Sequence, residues 1–372
     1  MKVLICADKF KGSLSAQEVA EAIARGIRRF DQAVECQIHP LADGGDGSLN
    51  ILSTYLDLQK ISLMVADPFG NPVEAVYYRS GGKAFVELAA ASGLVLLPPG
   101  QRNPMLTSTQ GTGELIKDAI EKGANEIVLF LGGSATNDGG AGIAQALGFR
   151  FLDASGKEVV PIGKNLIHIR QIVPPAGFVK KSLRFSCLCD VKNPLLGETG
   201  AAHTYAAQKG ASEKEIEQLE LGMKQYAQVI NRQFSMDISA VPGGGAAGGV
   251  AAGLQALLGA EIRSGIDLFL ELSQFEARVK SADLVITGEG KLDIQTLEGK
   301  VVNGVLQIAR QYQKPVLLLV GTSELEKETL AGKGVVEVLT VMSRSAGYED
   351  AMARAAEIIE GLAYEYFNAR GG

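Results

Sequence analysis

The chain has 372 residues, of which 46% are hydrophobic, and this content excludes a wholly disordered polypeptide and allows two domains or one large one. Its 36 basic and 42 acidic residues give a net charge of −6, which argues against a nucleic-acid or anionic-membrane binder because such a protein needs a clustered basic surface. The 45 glycines, without a collagen-like period, indicate many turns at positive φ and close backbone approaches.

The N-terminal part predicts a strand, a helix, a second strand and a second helix. Residues 3–7 form a continuous apolar run, which is typical of a parallel strand buried on both faces. Ser15 and Glu18 carry the signature of a capping box, and apolar residues then recur at helical spacing. The second strand is predicted over residues 34–39 and the second helix from about Ser48.

The pattern then changes to a meander and later returns to alternation. Residues 61–66, 73–78 and 84–89 predict three short strands joined by turn sequences. Beyond them, helices are predicted over 114–122, 141–147, 213–234, 301–312 and 348–368, and strands over 126–131, 183–188, 283–287, 316–320 and 335–341. Because the end of the chain resembles its start, we expect a discontinuous α/β domain, residues 1–65 plus 281–372, with a second α/β domain, residues 66–280, inserted in it.

Glycine-rich loops with acidic or amide side chains recur between a predicted strand and a predicted helix. In an open parallel sheet such loops gather at the carboxyl ends of the strands, where ligands bind. Five segments have this arrangement, namely residues 7–13, 43–47, 132–140, 243–249 and 288–293.

The composition of these loops indicates phosphoryl transfer. Bare backbone N–H groups ahead of a helix bind phosphate, whereas acidic residues beside a phosphate need a cation such as Mg²⁺ to mediate. Lysines, here Lys9 and Lys11, supply point charges for phosphate oxygens, and a carboxylate receives the proton of the attacking hydroxyl. The residue types therefore match a phosphate-binding loop, a metal site, a cationic side chain and a general base.

Each loop also has a purely structural interpretation. A single Gly-Gly-Asp-Gly is most often a tight turn whose Asp caps the next helix, and the glycines of residues 243–249 could serve close helix packing alone. Lys9, Lys11 and Lys291 could be solvated surface charges, and Asp190 could be a turn former. The occurrence of five such loops favours the functional interpretation.

Several standard signatures are missing. The chain has no Walker A motif, no Gly-x-Gly-x-x-Gly after its first strand and no Gly-x-Ser-x-Gly elbow, which disfavours a P-loop kinase, a typical dehydrogenase and an α/β-hydrolase. The four cysteines lack the further ligands that a zinc site needs, so we interpret them as buried structural thiols. With no secretory start and no apolar stretch near the roughly 20 residues of a membrane span, we expect a cytoplasmic protein without membrane contact.

Eight segments resemble the type-1 glycerate kinase family and follow its order along the chain. The most specific is Gly-Gly-Ser-Ala-Thr-Asn-Asp-Gly-Gly at residues 132–140. The others are Asp-Lys-Phe-Lys-Gly-Ser-Leu-Ser-Ala (8–16), Ala-Asp-Gly-Gly-Asp-Gly (42–47), Gly-Thr-Gly-Glu-Leu (111–115), Cys-Asp-Val-Lys-Asn-Pro-Leu-Leu-Gly (189–197), Gln-Lys-Gly-Ala (208–211), Pro-Gly-Gly-Gly-Ala-Ala-Gly-Gly (242–249) and Thr-Gly-Glu-Gly-Lys-Leu-Asp-Ile-Gln-Thr (287–296). The similarity runs nearly end to end.

This resemblance implies a kinase that uses ATP and Mg²⁺ to phosphorylate D-glycerate, usually at the position that gives 2-phosphoglycerate. It also implies a fold of two unlike α/β domains, a Rossmann-like or flavodoxin-like domain with a second, mixed α/β domain inserted, and an active site in the inter-domain cleft. Two departures stand out. The family usually has Ser where this chain has Lys9, and Phe-Gly-Pro where it has Tyr205, Ala206 and Ala207.

We assign roles by residue type and position. The candidate catalytic residues are Lys11, placed on a phosphate or on the glycerate carboxylate, and Asp190 as the base, with Asp138 as the second choice. The candidates for binding substrate or phosphate are Lys9, Ser13, Gly133, Ser134, Thr136, Asn137, Lys192, Gly244 and Gly245. The candidates for holding Mg²⁺ are Asp43, Asp46, Glu289 and Asp293.

Rival interpretations remain at this point. They are a binding module for sugar acids or nucleotides without turnover, a dehydrogenase, a kinase of another small hydroxy acid, and a glycerate 3-kinase that gives 3-phosphoglycerate. The expected partners are small molecules, with no nucleic acid, and the sequence leaves the oligomeric state open, a homo-oligomer included.

Overall fold

The computed structural model describes residues 1–42, 44, 48–177, 183–294, 296 and 300–370, with the backbone alone at 327 and 328. The chain forms two compact units. Unit 1 comprises Met1–Asp43, Gly47–Tyr55 and Ser264–Gly372, and unit 2 comprises Gly44–Asp46 and Leu56–Arg263. These limits differ from the predicted ones at 65 and 280, since the strand over Gln59–Ala66 pairs along its whole length with the next strand of unit 2.

The strands are short and are numbered here in chain order. They are β1 Lys2–Ile5, β2 Glu35–Ile38, β3 Gln59–Ala66, β4 Pro72–Ser80, β5 Lys83–Glu87, β6 Glu126–Phe130, β7 Arg150–Leu152, β8 Gln171–Val173, β9 Arg184–Leu188, β10 Glu261–Arg263, β11 Leu284–Thr287, β12 Lys291–Leu292, β13 Val316–Val320, β14 Thr322–Ser323 and β15 Val335–Thr340.

The helices are numbered in the same way. They are α1 Ala16–Phe30, α2 Ser48–Leu52, α3 Ala89–Ser92, α4 Gln110–Glu121, α5 Ala141–Ala146, α6 Ala201–Tyr205, α7 Glu213–Phe234, α8 Ala246–Leu258, α9 Gly265–Leu272, α10 Phe275–Ser281, α11 Val301–Gln311, α12 Lys327–Leu330, α13 Tyr348–Ala353 and α14 Ala355–Asn368. Among the described residues, none of these helices has the length and apolar character that a membrane crossing requires.

Unit 1 is built on a parallel sheet with the strand order β15-β13-β11-β1-β2. The apolar run at the N-terminus forms β1, and Val3, Leu4 and Ile5 are fully buried there. The chain continues from β1 to β2 on one side of the sheet, whereas β11 lies on the other side. The carboxyl ends of β1 and β11 therefore flank a topological switch point, the place where open α/β sheets bind ligands.

The predicted capping box is confirmed at the start of α1. The Glu18 amide donates to Ser15 Oγ at 3.3 Å, and the Ser15 amide donates to Glu18 Oε2 at 2.8 Å. The buried face of α1 packs against α14, where a Cβ on Gly26 would lie only 2.2 Å from the carbonyl oxygen of Glu360. A residue without a side chain lets the two helices approach this closely.

Unit 2 is built on a six-stranded mixed sheet with the order β10-β9-β6-β5-β4-β3. The predicted meander forms β3, β4 and β5, which pair antiparallel. The strands β5, β6, β9 and β10 pair parallel, so the segments that follow β6 and β9 lie side by side at one edge. A separate antiparallel pair, β7 with β8, was not predicted because both strands have only three residues.

Two expectations about local structure are wrong. The glycine-rich segment 243–249 was expected after a strand, but it follows irregular residues 235–242 beyond the C-terminal end of α7. The closing helix expected over 348–368 is divided into α13 and α14 at Arg354, whose φ of −111° and ψ of 18° are not helical. The apolar spacing continues across Arg354, so the sequence pattern carries no sign of this break.

Candidate active site

Unit 1 contains a cavity of about 630 Å³ at the switch point of its sheet. The walls come from the segments that follow β1, β11 and β13, and from residues 341–355. Backbone hydrogen bonds connect the first three segments: the Asp8 amide donates to the Gly288 carbonyl at 2.8 Å, and the Gly321 amide donates to the Glu289 carbonyl at 3.0 Å. Two of the predicted glycine-rich loops, 7–13 and 288–293, therefore meet at this cavity.

Both signs of charge line the unit-1 cavity. The acidic side chains are Asp8, Glu289 and Asp293, and the basic ones are Lys9, Lys11, Lys291 and Lys300. Asp8 and Glu289 are buried, with 8% and 7% of their surfaces exposed. The Lys9 amide donates to Asp8 Oδ1 at 2.7 Å, which holds this carboxylate against the start of the loop.

Lys291 and Asp293 also have partners close by. Lys291 Nζ lies 2.8 Å from Glu324 Oε1, and the hydrogen bond between them raises the pKa of Lys291 above its ordinary value. Asp293 forms a turn with Thr296: the Thr296 amide donates to Asp293 Oδ1 at 3.2 Å, and the Asp293 amide donates to Thr296 Oγ1 at 3.0 Å. Asp293 thus combines a turn-forming role with a place on the cavity wall.

The opposite wall of the cavity is apolar. It consists of Val341, Met342, Tyr348, Ala351, Met352 and Ala355, and Tyr348 is 70% exposed. Ser13, a predicted phosphate-binding residue, donates from its Oγ to the Met352 carbonyl at 2.8 Å. This hydrogen bond holds the loop after β1 against the apolar wall. A cavity with ammonium groups, carboxylates and an apolar face can hold a ligand that carries both an anionic chain and a flat ring.

The donor set of the unit-1 cavity fits a divalent cation of the Mg²⁺ type. Mg²⁺ is usually held by one or two carboxylates plus phosphate oxygens and water, and the cavity offers the carboxylates of Asp8, Glu289 and Asp293. In the part of the chain that the structure describes, no group of three or more His, Cys, Asp or Glu side chains forms a metal site by itself. Asp43 and Asp46, the other predicted metal ligands, lie outside the described residues.

Unit 2 contains a second cavity, of about 280 Å³, at the carboxyl ends of β6 and β9. Its walls include Gly132, Gly133 and Ser134 after β6, residues 188–191 after β9, and Tyr205, Gln208 and Lys209. Asp190, the predicted base, is exposed at this cavity, and Ser134 is 7% exposed. Three predicted site residues, Gly133, Ser134 and Asp190, are therefore brought together here.

Hydrogen bonds hold the segment 132–140 in place from several sides. The Leu94 amide donates to the Gly133 carbonyl at 2.8 Å, and the Ala135 amide donates to the Ser92 carbonyl at 2.9 Å. Thr107 Oγ1 donates to the Ala135 carbonyl at 2.9 Å. This support presents Ser134 on a rigid backbone rather than on a loose loop.

Thr136, Asn137 and Asp138 follow Ser134 but lie behind the cavity wall, with none of their surface exposed. The Asp138 carboxylate accepts hydrogen bonds from the amides of Thr109, Gly140 and Gly142 and from the Thr109 hydroxyl. Burial raises the pKa of Asp138, while these four donors act in the opposite direction. Among the described residues, the Asn137 side-chain amide and Thr136 Oγ1 have no hydrogen-bond partner.

The glycine-rich segment 243–249 packs against segment 132–140 and does not follow a strand. Gly248 has a φ of +68°, and a Cβ there would lie 2.1 Å from the Thr136 carbonyl oxygen. The Gly139 amide donates to the Gly248 carbonyl at 3.0 Å.

Gly244 and Gly245 contact Val241 and residues 193–194, and neither of them lines the cavity. Lys192 is exposed and is not part of the wall either.

A buried lysine is the principal site residue for which the sequence predicted no role. Lys209 is 2% exposed, and its Nζ donates to Ser134 Oγ at 2.8 Å and to the Thr136 carbonyl at 2.7 Å. Burial lowers the pKa of Lys209 to about 7, and the charge of Asp138 acts in the opposite direction. In the sequence, Lys209 stood out only as part of Gln-Lys-Gly-Ala, one of the segments that resemble the type-1 glycerate kinase family. That segment does not reveal that the side chain is buried.

Comparison with known proteins identifies relatives along nearly the whole chain. A model of the glycerate kinase family matches residues 3–369. The chain is 41% identical to glycerate 2-kinase of Escherichia coli K12, over 94% of this chain and 93% of that protein. It is 40% identical to a glycerate kinase of Bacillus cereus, over 97% and 95% of the two chains. A crystal structure from Salmonella typhimurium LT2, assigned as glycerate kinase 2, superposes with a TM-score of 0.85 at 40% identity, covering 100% of this chain and 98% of that one.

Proposed function

The chain belongs to the glycerate kinase family, and from this premise we propose that it transfers the γ-phosphoryl group of ATP to the C2 hydroxyl of D-glycerate, giving 2-phosphoglycerate and ADP. The family match and the 41% identity to a glycerate 2-kinase support both the substrate and the position of transfer. The observation on which the proposal chiefly rests is the unit-1 cavity, where lysines, carboxylates and an apolar wall meet at a switch point.

We assign ATP to the unit-1 cavity. The polyphosphate would contact Lys9 and Lys11, and the adenine ring would lie on the wall that includes Met342, Tyr348 and Met352. Exposed aromatic and thioether side chains suit a flat ring, because contact with the ring removes apolar surface from water. Tyr348 is 70% exposed at this cavity, so its ring has surface available for such a contact.

We assign Mg²⁺ to the carboxylates of Glu289 and Asp293, with Asp8 beside them. When bound, the ion neutralises phosphate charge as the bond to the leaving oxygen breaks. The buried carboxylates of Asp8 and Glu289 would otherwise repel a polyphosphate, which supports a mediating cation in this cavity. Asp43 and Asp46 stay predicted ligands.

We assign glycerate to the unit-2 cavity, with Asp190 as the base. The C2 hydroxyl oxygen of glycerate forms a bond to the γ-phosphorus, the bond between this phosphorus and the β–γ bridging oxygen breaks, and ADP leaves with that electron pair. Asp190 receives the hydroxyl proton and returns it to water. A cavity of about 280 Å³ is ample for a three-carbon acid.

A reaction of the purified chain with ATP, Mg²⁺ and D-glycerate tests this proposal. ³¹P NMR should show a new resonance coupled to the proton on C2, as expected for 2-phosphoglycerate. Coupling to the C3 methylene protons would instead indicate a glycerate 3-kinase. No ADP release with glycerate, but release with another hydroxy acid such as tartronate, would indicate a different acceptor.

A further inference from the structure

Lys209 is the one lysine whose side chain is buried among the residues that the structure describes. It ends the short 3₁₀ helix Ala207–Lys209, and the next residue, Gly210, has a φ of +96°. A Cβ on Gly210 would lie 2.2 Å from the Arg102 carbonyl oxygen, so the backbones of Gly210 and Arg102 are in close contact. This tight turn directs the Lys209 side chain inward, toward segment 132–140.

The contacts of Lys209 determine what the Ser134 hydroxyl can do. Lys209 Nζ donates to Ser134 Oγ at 2.8 Å, so Ser134 Oγ serves as an acceptor in this bond. A hydroxyl has one proton of its own to donate, and the hydrogen bonds found among the described residues provide no acceptor for it. Ser134 lines the unit-2 cavity, so this proton is available to a ligand there.

We propose that Lys209 is a positioning residue of the acceptor site: by donating to Ser134 Oγ, it makes Ser134 a hydrogen-bond donor to the carboxylate of a hydroxy-acid substrate. This inference rests on the proposed function and adds the group that recognises the acid. The second bond of Lys209, to the Thr136 carbonyl at 2.7 Å, fixes the ammonium on the same segment. A positive charge behind a hydroxyl strengthens its hydrogen bond to an anion.

The same arrangement provides selectivity for acids over neutral polyols. While Lys209 holds its proton, its ammonium has little water around it, so its field acts strongly on a ligand in the adjoining cavity. Above the lowered pKa of about 7 the neutral amine can still donate to Ser134 Oγ, but it no longer supplies this field. Asp138 is the buried charge that faces Lys209, and four donors already engage its carboxylate. An anionic acceptor therefore gains from Lys209 an attraction that a neutral polyol such as glycerol lacks.

Steady-state kinetics of four variants test the role of Lys209. Lys209→Met and Ser134→Ala should each raise KM for D-glycerate about tenfold or more while KM for ATP stays within about twofold, because each removes a charge-assisted hydrogen bond. Lys209→Gln, which keeps a donor without the charge, should fall between Lys209→Met and the unaltered chain. Lys214→Met, an exposed lysine on α7, is the control and should leave both KM values unchanged.

A double variant separates positioning from a merely structural role. If Lys209 acts through Ser134, Lys209→Met combined with Ser134→Ala should raise KM for glycerate no more than the larger single change does. Additive effects, an unchanged KM for glycerate, or a change confined to KM for ATP would overturn the inference. If Lys209→Met does not fold, unchanged KM for glycerate in Ser134→Ala overturns it independently. A chain that does not phosphorylate glycerate at all contradicts the proposed function instead, and direct calorimetric binding of glycerate then tests the inference alone.

Discussion

The carboxylate of Asp138 accepts hydrogen bonds from both the amide and the hydroxyl of Thr109, at 2.7 and 2.8 Å. These bonds connect the segment before α5 to the N-terminal end of α4, where backbone N–H groups lack partners within the helix. The Gly142 amide, in the first turn of α5, donates to the same oxygen at 3.3 Å. Asp138 therefore caps two helix starts, a stabilising role that its predicted use as a second-choice base did not include.

Asp138→Asn should destabilise the protein. The amide NH₂ group cannot accept hydrogen bonds, so either one or three buried donors lose their partner, depending on which oxygen it replaces, and the free energy of unfolding should fall by roughly 2–4 kcal/mol. Urea denaturation measures this loss, with the exposed Asp57→Asn of unit 2 as the matched control. Unchanged stability together with lost activity would show that the carboxylate acts in the chemistry instead.

Asp190→Asn should lower kcat while KM for ATP stays near its original value. An asparagine keeps the size of the side chain but cannot receive a proton, and general bases typically contribute about 10²- to 10⁴-fold. The assay is ADP release with saturating ATP and D-glycerate. Glu217→Gln on the exposed face of α7 is the control for a lost acidic charge. A kcat near that of the unaltered chain would remove Asp190 as the base.

The parts of the fold that depend on neighbouring residues could be predicted from the sequence. The capping box of Ser15 and Glu18 is complete within four residues, and α7 occupies residues 213–234 as predicted. The buried strands β6 and β13 likewise follow continuous apolar runs. In each case the local pattern and the final structure agree because no distant contact has to override them.

The features that depend on distant contacts could not be predicted. Lys209 is buried because its Nζ finds acceptors at Ser134 and Thr136, far away in the chain, and a lysine in isolation predicts a solvated surface charge. Thr136 lies behind the cavity wall because Gly248 packs on its carbonyl oxygen. The roles of all these residues in catalysis stay predictions.

Lys11→Met should raise KM for ATP roughly three- to tenfold, because an exposed ammonium attracts phosphate through a field that water and salt screen. The effect should therefore shrink as ionic strength increases. Lys333→Met, in the same unit but outside the cavity wall, is the matched control. If Lys11→Met instead raises KM for glycerate alone, the lysine contacts the acceptor and not the nucleotide.

Gly248→Ala should destabilise the protein by about 3 kcal/mol or more, because it combines backbone strain at positive φ with a clash against the Thr136 carbonyl oxygen. Gly156→Ala is the matched control: its φ is +82°, and a Cβ there meets nothing within 4 Å. Gly156→Ala should lower the free energy of unfolding by only about 1 kcal/mol, because it introduces backbone strain without a clash. Chemical denaturation of both variants measures the difference, and equal losses would contradict the close packing of Gly248.

Lys209 should give the free energy of unfolding an unusual dependence on pH. Burial lowers its pKa from 10.5 to about 7, so between these values the unfolded chain holds a proton that the folded chain has lost. Stability from this group must then increase as pH rises from 7 toward 10, by at most about 1.4 kcal/mol per pH unit. Lys209→Met cannot contribute this increase.

The measurement is urea denaturation of the unaltered chain and of Lys209→Met at pH 7 and pH 9, because the titrating groups that do not interact with Lys209 cancel in the difference. The titratable and charged groups around Lys209 are Asp138 behind it and Cys189, Asp190 and Tyr205 on the cavity wall. Burial raises the pKa of Cys189 to about 11 and also raises that of Tyr205, so neither thiol nor phenol titrates in this interval. The unaltered chain should gain stability over Lys209→Met on going to pH 9. Equal pH dependence in both would mean that the buried ammonium keeps its proton throughout, held by Asp138 more strongly than burial opposes it.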